Sequence, residues 1–92
     1  RDAEDGVAGA AHAPGGYLVR LVYSNVNRSG GVLTFKVVLV DDQNTPQQNP
    51  ISVSVSGTIN RTTVQAALKT ALEGNDYMLI ALAGDDFLAT LV

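Results

Sequence analysis

YLVRLVYSNVNRSGGVLTFKVVLV, Tyr17 to Val40, decides how this chain folds. Its first eight residues, Tyr17 to Ser24, are rich in aromatic and β-branched side chains and read as a strand. Asn25 to Gly31 (NVNRSGG) is turn chemistry, with Gly30 and Gly31 free to take positive φ. Val32 to Val40 reads as a second strand, so the stretch is a β-hairpin. Alternation assigns the faces. Tyr17, Val19, Leu21 and Tyr23 share one face with Leu33, Phe35, Val37 and Leu39, which makes it the core face. The other face is mixed: Leu18, Arg20 and Val22 with Thr34, Lys36 and Val38.

Working toward the C-terminus, Asp41 to Pro50 is polar, carries two prolines and reads as a loop. Ile51 to Gly57 (ISVSVSG) alternates cleanly, with Ile51, Val53 and Val55 inward and Ser52, Ser54 and Ser56 outward. An amphipathic helix follows over 63–73. Thr62 and Gln65 fit a capping box, Val64, Ala67, Leu68, Ala71 and Leu72 form its apolar stripe, and Gly74 stops it. Tyr77 to Ala83 is apolar on both faces and reads as a central or interface strand. Gly84-Asp85-Asp86 reads as a turn, and Phe87 to Val92 as a last strand. The expected class is α+β: a mainly antiparallel sheet of four to five strands with one helix on one face. A helix of three turns cannot cover such a sheet. The uncovered face should carry the serine row, Arg20, Lys36 and several valines.

Toward the N-terminus the character changes. Nine of the sixteen residues in Arg1 to Gly16 (RDAEDGVAGAAHAPGG) are Gly or Ala, and Val7 is the one sizeable apolar side chain. Ordering sixteen residues costs roughly 16–32 kcal/mol of backbone entropy. Burying Val7 returns only about 1.5–3 kcal/mol, and each Ala methyl about 0.8. The segment is therefore expected to be an extended arm over 1–16, hinged at Pro14-Gly15-Gly16 and held by a neighbour. The single folded domain is then 17–92. A chain that opens on Arg1 rather than Met is expected to be processed or a fragment.

Composition narrows the function classes. Hydrophobic residues make up 46% and charged residues only 16%, well below the usual quarter, which suggests surface that another subunit covers. A net charge of −3 disfavours direct nucleic-acid binding. No apolar run approaches the roughly 18 residues of a membrane span, and 1–16 lacks the apolar centre of a signal peptide. Without cysteine there is no disulfide, thiol nucleophile or thiolate metal site.

No residue pattern builds a catalytic, cofactor or metal site. His12, the only histidine, sits in the Gly/Ala segment without the rigid frame that a nucleophile and its base require. Asp41, Asp42 and Asn44 lack the alternation, glycine and closing Glu of a calcium loop, and Asp85-Asp86 is an adjacent pair suited to a turn. Gly30-Gly31 and Gly15-Gly16 are too short to cradle phosphate. Asn27-Arg28-Ser29 and Asn60-Arg61-Thr62 match the glycosylation pattern, which six asparagines produce by chance about once. Arg20 and Lys36 share the mixed hairpin face and make a small basic patch, while Asp2, Glu4 and Asp5 make the arm acidic.

These residues, Asp2, Glu4, Asp5, Arg20 and Lys36, are the expected assembly contacts, with the arm of one subunit meeting the hairpin face of the next. The expected function is non-enzymatic: a structural assembly subunit, most specifically a viral or phage particle component such as a cement, decoration or minor coat protein, located in the virion. Its partners would be other protein subunits, as a homo-oligomer or with a coat protein, and neither nucleic acid nor membrane. The competing expectation is a small adaptor or inhibitor domain that binds protein through the 41–50 loop.

Overall fold

The computed structural model describes residues 6–91. Its centre is the expected hairpin, formed by β2 (Leu18–Ser29) and β3 (Val32–Val40). The second strand has the expected bounds. The first runs on through the expected turn as far as Ser29, leaving only Gly30 and Gly31, at φ 60° and 77°, to reverse the chain. The extension is made possible by a bulge. Ser24 pairs with Lys36 and Asn27 with Thr34, so Asn25 and Val26 together oppose the single Phe35, and Asn25 takes the left-handed φ of 56° that asparagine tolerates.

The hairpin faces are as alternation demands. Val19, Leu21, Tyr23, Leu33, Phe35, Val37 and Leu39 are buried together. Tyr17 departs from the expected core set. It precedes the strand, is 47% exposed, and donates its hydroxyl to Gln47 Oε1 at 3.1 Å. β4 (Ile51–Ser56) pairs antiparallel with β3, its Ile51, Val53 and Val55 buried and its three serines exposed.

From Gly6 onward the N-terminal segment is not an arm, and residues 1–5 lie outside the described residues. Gly6–His12 is a strand, β1, lying between β2 and β5 (Met78–Leu82) in a five-stranded antiparallel sheet of order β4-β3-β2-β1-β5. The entropy cost is met by two ladders of backbone hydrogen bonds to the chain's own body rather than by a neighbouring molecule. Small residues are what let this strand sit there. Ala8 and Ala11 are fully buried. A Cβ on Gly6 would press on the Tyr23 ring, and one on Gly9 would run into the Ala81 carbonyl oxygen. The expected hinge is instead the β1–β2 turn. The Ala13 N–H donates to the Tyr17 carbonyl and the Gly16 N–H to the Ala13 carbonyl, with Gly15 and Gly16 at φ 97° and 90°.

α1 (Arg61–Glu73) begins two residues earlier than expected, because the cap is Asn60 and not Thr62. Asn60 Oδ1 accepts the Thr63 N–H at 3.0 Å, and Thr63 Oγ1 accepts the Asn60 N–H at 2.9 Å, a reciprocal box with Thr63 where Gln65 was expected. Asn ranks with Asp and Ser at the top of N-cap preference and outcompetes Thr here. Gly74 ends the helix as expected but keeps a helical φ of −64°, and the left-handed reversal falls on Asp76 at 66°. Val64, Leu68 and Leu72 are fully buried.

Three bulges, in β1, β2 and β5, curl the sheet. The curl brings its two outermost strands toward each other, and α1 packs against both β4 and β5, closing the gap. Arg61 fastens the β5 side by donating to the carbonyls of Ala83 and Leu82 at 3.1 and 3.4 Å. β5 is therefore an outermost strand rather than a central one.

The final segment corrects a second expectation. Asp85–Leu91 is a helix, α2, and the protein has two helices among the described residues. Phe87 and Leu91, four residues apart, both lie buried on one face, and the Thr90 hydroxyl donates to the Asp86 carbonyl one turn back. Phe87 packs 5.1 Å from Tyr23 and 6.0 Å from Phe35, ring centre to ring centre. Thus α2 lies on the inner side of the sheet, over the small residues of β1.

Candidate functional site

Both helices lie on the inner side, which leaves the convex outer side of the sheet uncovered. Register defines what it presents. One row reads Val7, Val22 and Val38 across β1, β2 and β3. The next reads Ala81, Ala10, Arg20 and Val40 across β5, β1, β2 and β3, with Val40 itself buried. A third reads Met78, His12 and Leu18. The β5 bulge turns Ile80 outward beside Ala81, while Leu79 and Leu82 pack toward the core. On the other half of the face, Thr34, Lys36, Ser52, Ser54 and Ser56 form a polar, almost uncharged field.

The apolar half is exposed. Leu18 is 60% accessible, Met78 59%, Ile80 47% and Val7 44%. Together with Tyr17 these are the exposed large hydrophobics among the described residues. Four of the five thus stand on three adjacent strands of one face. Sequence reading found β2's share of this surface and the serine row. It missed the share of β1 and β5, because neither strand's place beside β2 is written in local pattern.

Arg20 and Lys36 are exposed on this face, as expected, but they do not form one patch. Arg20 pairs with Val40 and Lys36 with Ser24, four register positions apart, or about 13 Å along the strand. Lys36 stands in the polar half, in a shallow recess of about 280 Å³ with Asn25, Thr34, Ser52 and Ser54. Arg20 stands in the apolar half, where its guanidinium donates to Asn44 Oδ1. Asp2, Glu4 and Asp5, the other expected contacts, lie outside the described residues.

Beside Arg20 is a recess of about 210 Å³ lined by Ala10, Leu18, Arg20, Val40, Asp41 and Asp42. Its acidic rim is the start of the 41–50 loop, which is tightly folded. The Asp41 carboxylate accepts the N–H groups of Gln43 and Thr45, both at 2.9 Å. These bonds, Thr45's first, hold its pKa below the ordinary 3.8. Thr45 returns a carbonyl to the Asp41 N–H, Pro46 bridges to Val40, and Asn44 takes φ 62°. Asp41 is thus a backbone cap.

The remaining candidates hold no constellation of reactive groups. His12 Nδ1 lies 3.0 Å from the Gly16 carbonyl oxygen in the β1–β2 turn, a hydrogen bond when the proton is on Nδ1. A recess of about 550 Å³ opens between the start of β4 and the end of α1 and is lined by uncharged residues including Gln48, Ser52, Thr70 and Asn75. Among the described residues no three His, Cys, Asp or Glu side chains cluster as metal ligands. No helix among them is long and apolar enough to cross a membrane. Compared with known proteins, the chain matches no family model, no curated protein and no solved structure.

Proposed function

We propose that this protein is a non-enzymatic assembly subunit that joins other protein subunits through the outer face of its sheet. One observation carries the reading. Val7, Leu18, Met78 and Ile80, four of the five exposed large hydrophobics, are gathered on β1, β2 and β5 rather than scattered. Single exposed apolar side chains need no explanation, whereas a contiguous field of them marks an interaction surface. The low charge content supports the same reading. Its narrower form is a viral or phage particle component: a cement, decoration or minor coat protein. An arm clasping a neighbour forms no part of it, since residues 6–12 belong to the sheet.

The test is to purify the tagged chain from its natural source and identify bound protein subunits, with Leu18→Glu/Met78→Glu as the comparison. Partners lost in the double variant support the reading. A chain that neither self-associates nor holds any protein partner overturns it. The adaptor or inhibitor reading is favoured by the folding of Asp41 to Gln47 into a rigid projection with Asp42 and Gln43 exposed at its tip. Partner binding lost on Asp42→Lys/Gln43→Lys but kept in the face variant would favour that loop.

A further inference from the structure

We infer that the occupant of the outer face is the same face of a second copy, so that the chain forms a two-fold dimer whose contact takes in the β5–β1–β2 rows. This rests on the assembly reading and adds the partner's identity.

Charge is the first argument. In a two-fold contact a patch meets itself, so a patch of one sign repels its own copy. Here the apolar recess carries Arg20 on one side and Asp41 and Asp42 on the other. Rotated onto itself, such a patch can set cation against carboxylate. The polar half adds serines and Thr34, which tolerate their own copies, and Lys36 near the β2 bulge, away from the apolar rows.

Shape is the second argument. Ala10 and Ala81 stand in the same row as Arg20 and leave space beside taller Val22, Leu18 and Met78. Small and large residues alternating in this way let two sheets interdigitate at the usual spacing of about 10 Å. β2 is the middle strand, so two curled sheets approach most closely along it, where Leu18 and Val22 stand.

Area is the third. Five strands about 4.8 Å apart, six residues long at about 3.4 Å each, give a face of roughly 24 by 20 Å. A standard stable interface buries about 800 Å² of accessible surface per partner. A convex face of this size falls at or below that value, which places the dimer among the weak, reversible ones.

The experiment is sedimentation equilibrium of the full chain from about 1 µM to about 1 mM, the range in which interfaces this small dissociate. The weight-average mass should rise from that of one chain to that of two. Leu18→Lys/Met78→Lys alters two side chains that are mostly exposed already, so the fold persists, and it should weaken association about tenfold or more. Gln65→Lys, exposed on α1 away from the face, should leave it unchanged. A monomer throughout the range overturns the inference, and binding of a different subunit to the same face then keeps the assembly reading. A dimer indifferent to Leu18→Lys/Met78→Lys, or equally weakened by Gln65→Lys, also overturns it, as does growth beyond two chains.

Discussion

Gly9 shows how much can depend on the absence of a side chain. It lies in β1 between two strands, at φ 154°, with the Ala81 carbonyl oxygen in the space a Cβ would need. Gly9→Ala should cost about 2–3 kcal/mol and lower the melting temperature by roughly 10–20 °C in a chain of this size. Gly84→Ala, which meets nothing within 4 Å, should change stability by less than about 0.5 kcal/mol. Thermal unfolding of the two variants checks this. Asp41 gives a second prediction at this scale. Its pKa is depressed in the fold because the ionised carboxylate accepts the Thr45 and Gln43 N–H groups. A depressed carboxylate contributes stability that is present above its unfolded value and lost as pH falls through the folded value. The difference in urea midpoint between the wild type and Asp41→Ala should therefore be greatest near neutrality and shrink at pH well below the ordinary 3.8.

Elements were legible where periodicity and burial agree. β3, β4 and the stripe of α1 follow directly from alternation or helical spacing, since each buries one face only. Capping was less legible: Asn60 and Thr62 both suit an N-cap, and the choice depends on where the chain leaves β4. The two are separable by substitution. Asn60→Ala should cost about 1 kcal/mol, while Thr62→Ala, exposed in the first turn, should cost less than about 0.5, both read from denaturant unfolding. The last segment misled because FLATLV, Phe87 to Val92, has strand-forming composition. Phe87 and Leu91 each gain a buried site against the sheet when they stand one helical turn apart, and that packing outweighs weak local preference.

At the scale of the whole molecule, β1 changes the meaning of the N-terminal segment. An arm over 1–16 could be removed without harm to the body at 17–92. A strand between β2 and β5 cannot, because its loss leaves β5 without its sheet partner and exposes Leu21, Phe87 and Leu91. A chain of residues 17–92 should lose cooperative thermal unfolding and near-ultraviolet dichroism. A cooperatively folded 17–92 would contradict the topology. The same topology assembles the outer face. Leu18 alone is one exposed leucine, but with Val7 on one neighbour and Met78 and Ile80 on the next it becomes part of a field.

By itself the sequence determined the hairpin, its core face, the serine row, the amphipathic helix and the presence of an uncovered sheet face. All of these follow from side-chain period, which is local. Only the tertiary structure decided that a Gly/Ala segment is an inner strand, that the C-terminal segment is a helix, and that Arg20 and Lys36 stand apart. The physical reason is common to the three. A strand held by backbone hydrogen bonds on both edges needs no side-chain signature, a short helix is chosen by the surface that receives it, and the distance between two charges depends on register. Such properties arise from what lies beside a segment after folding.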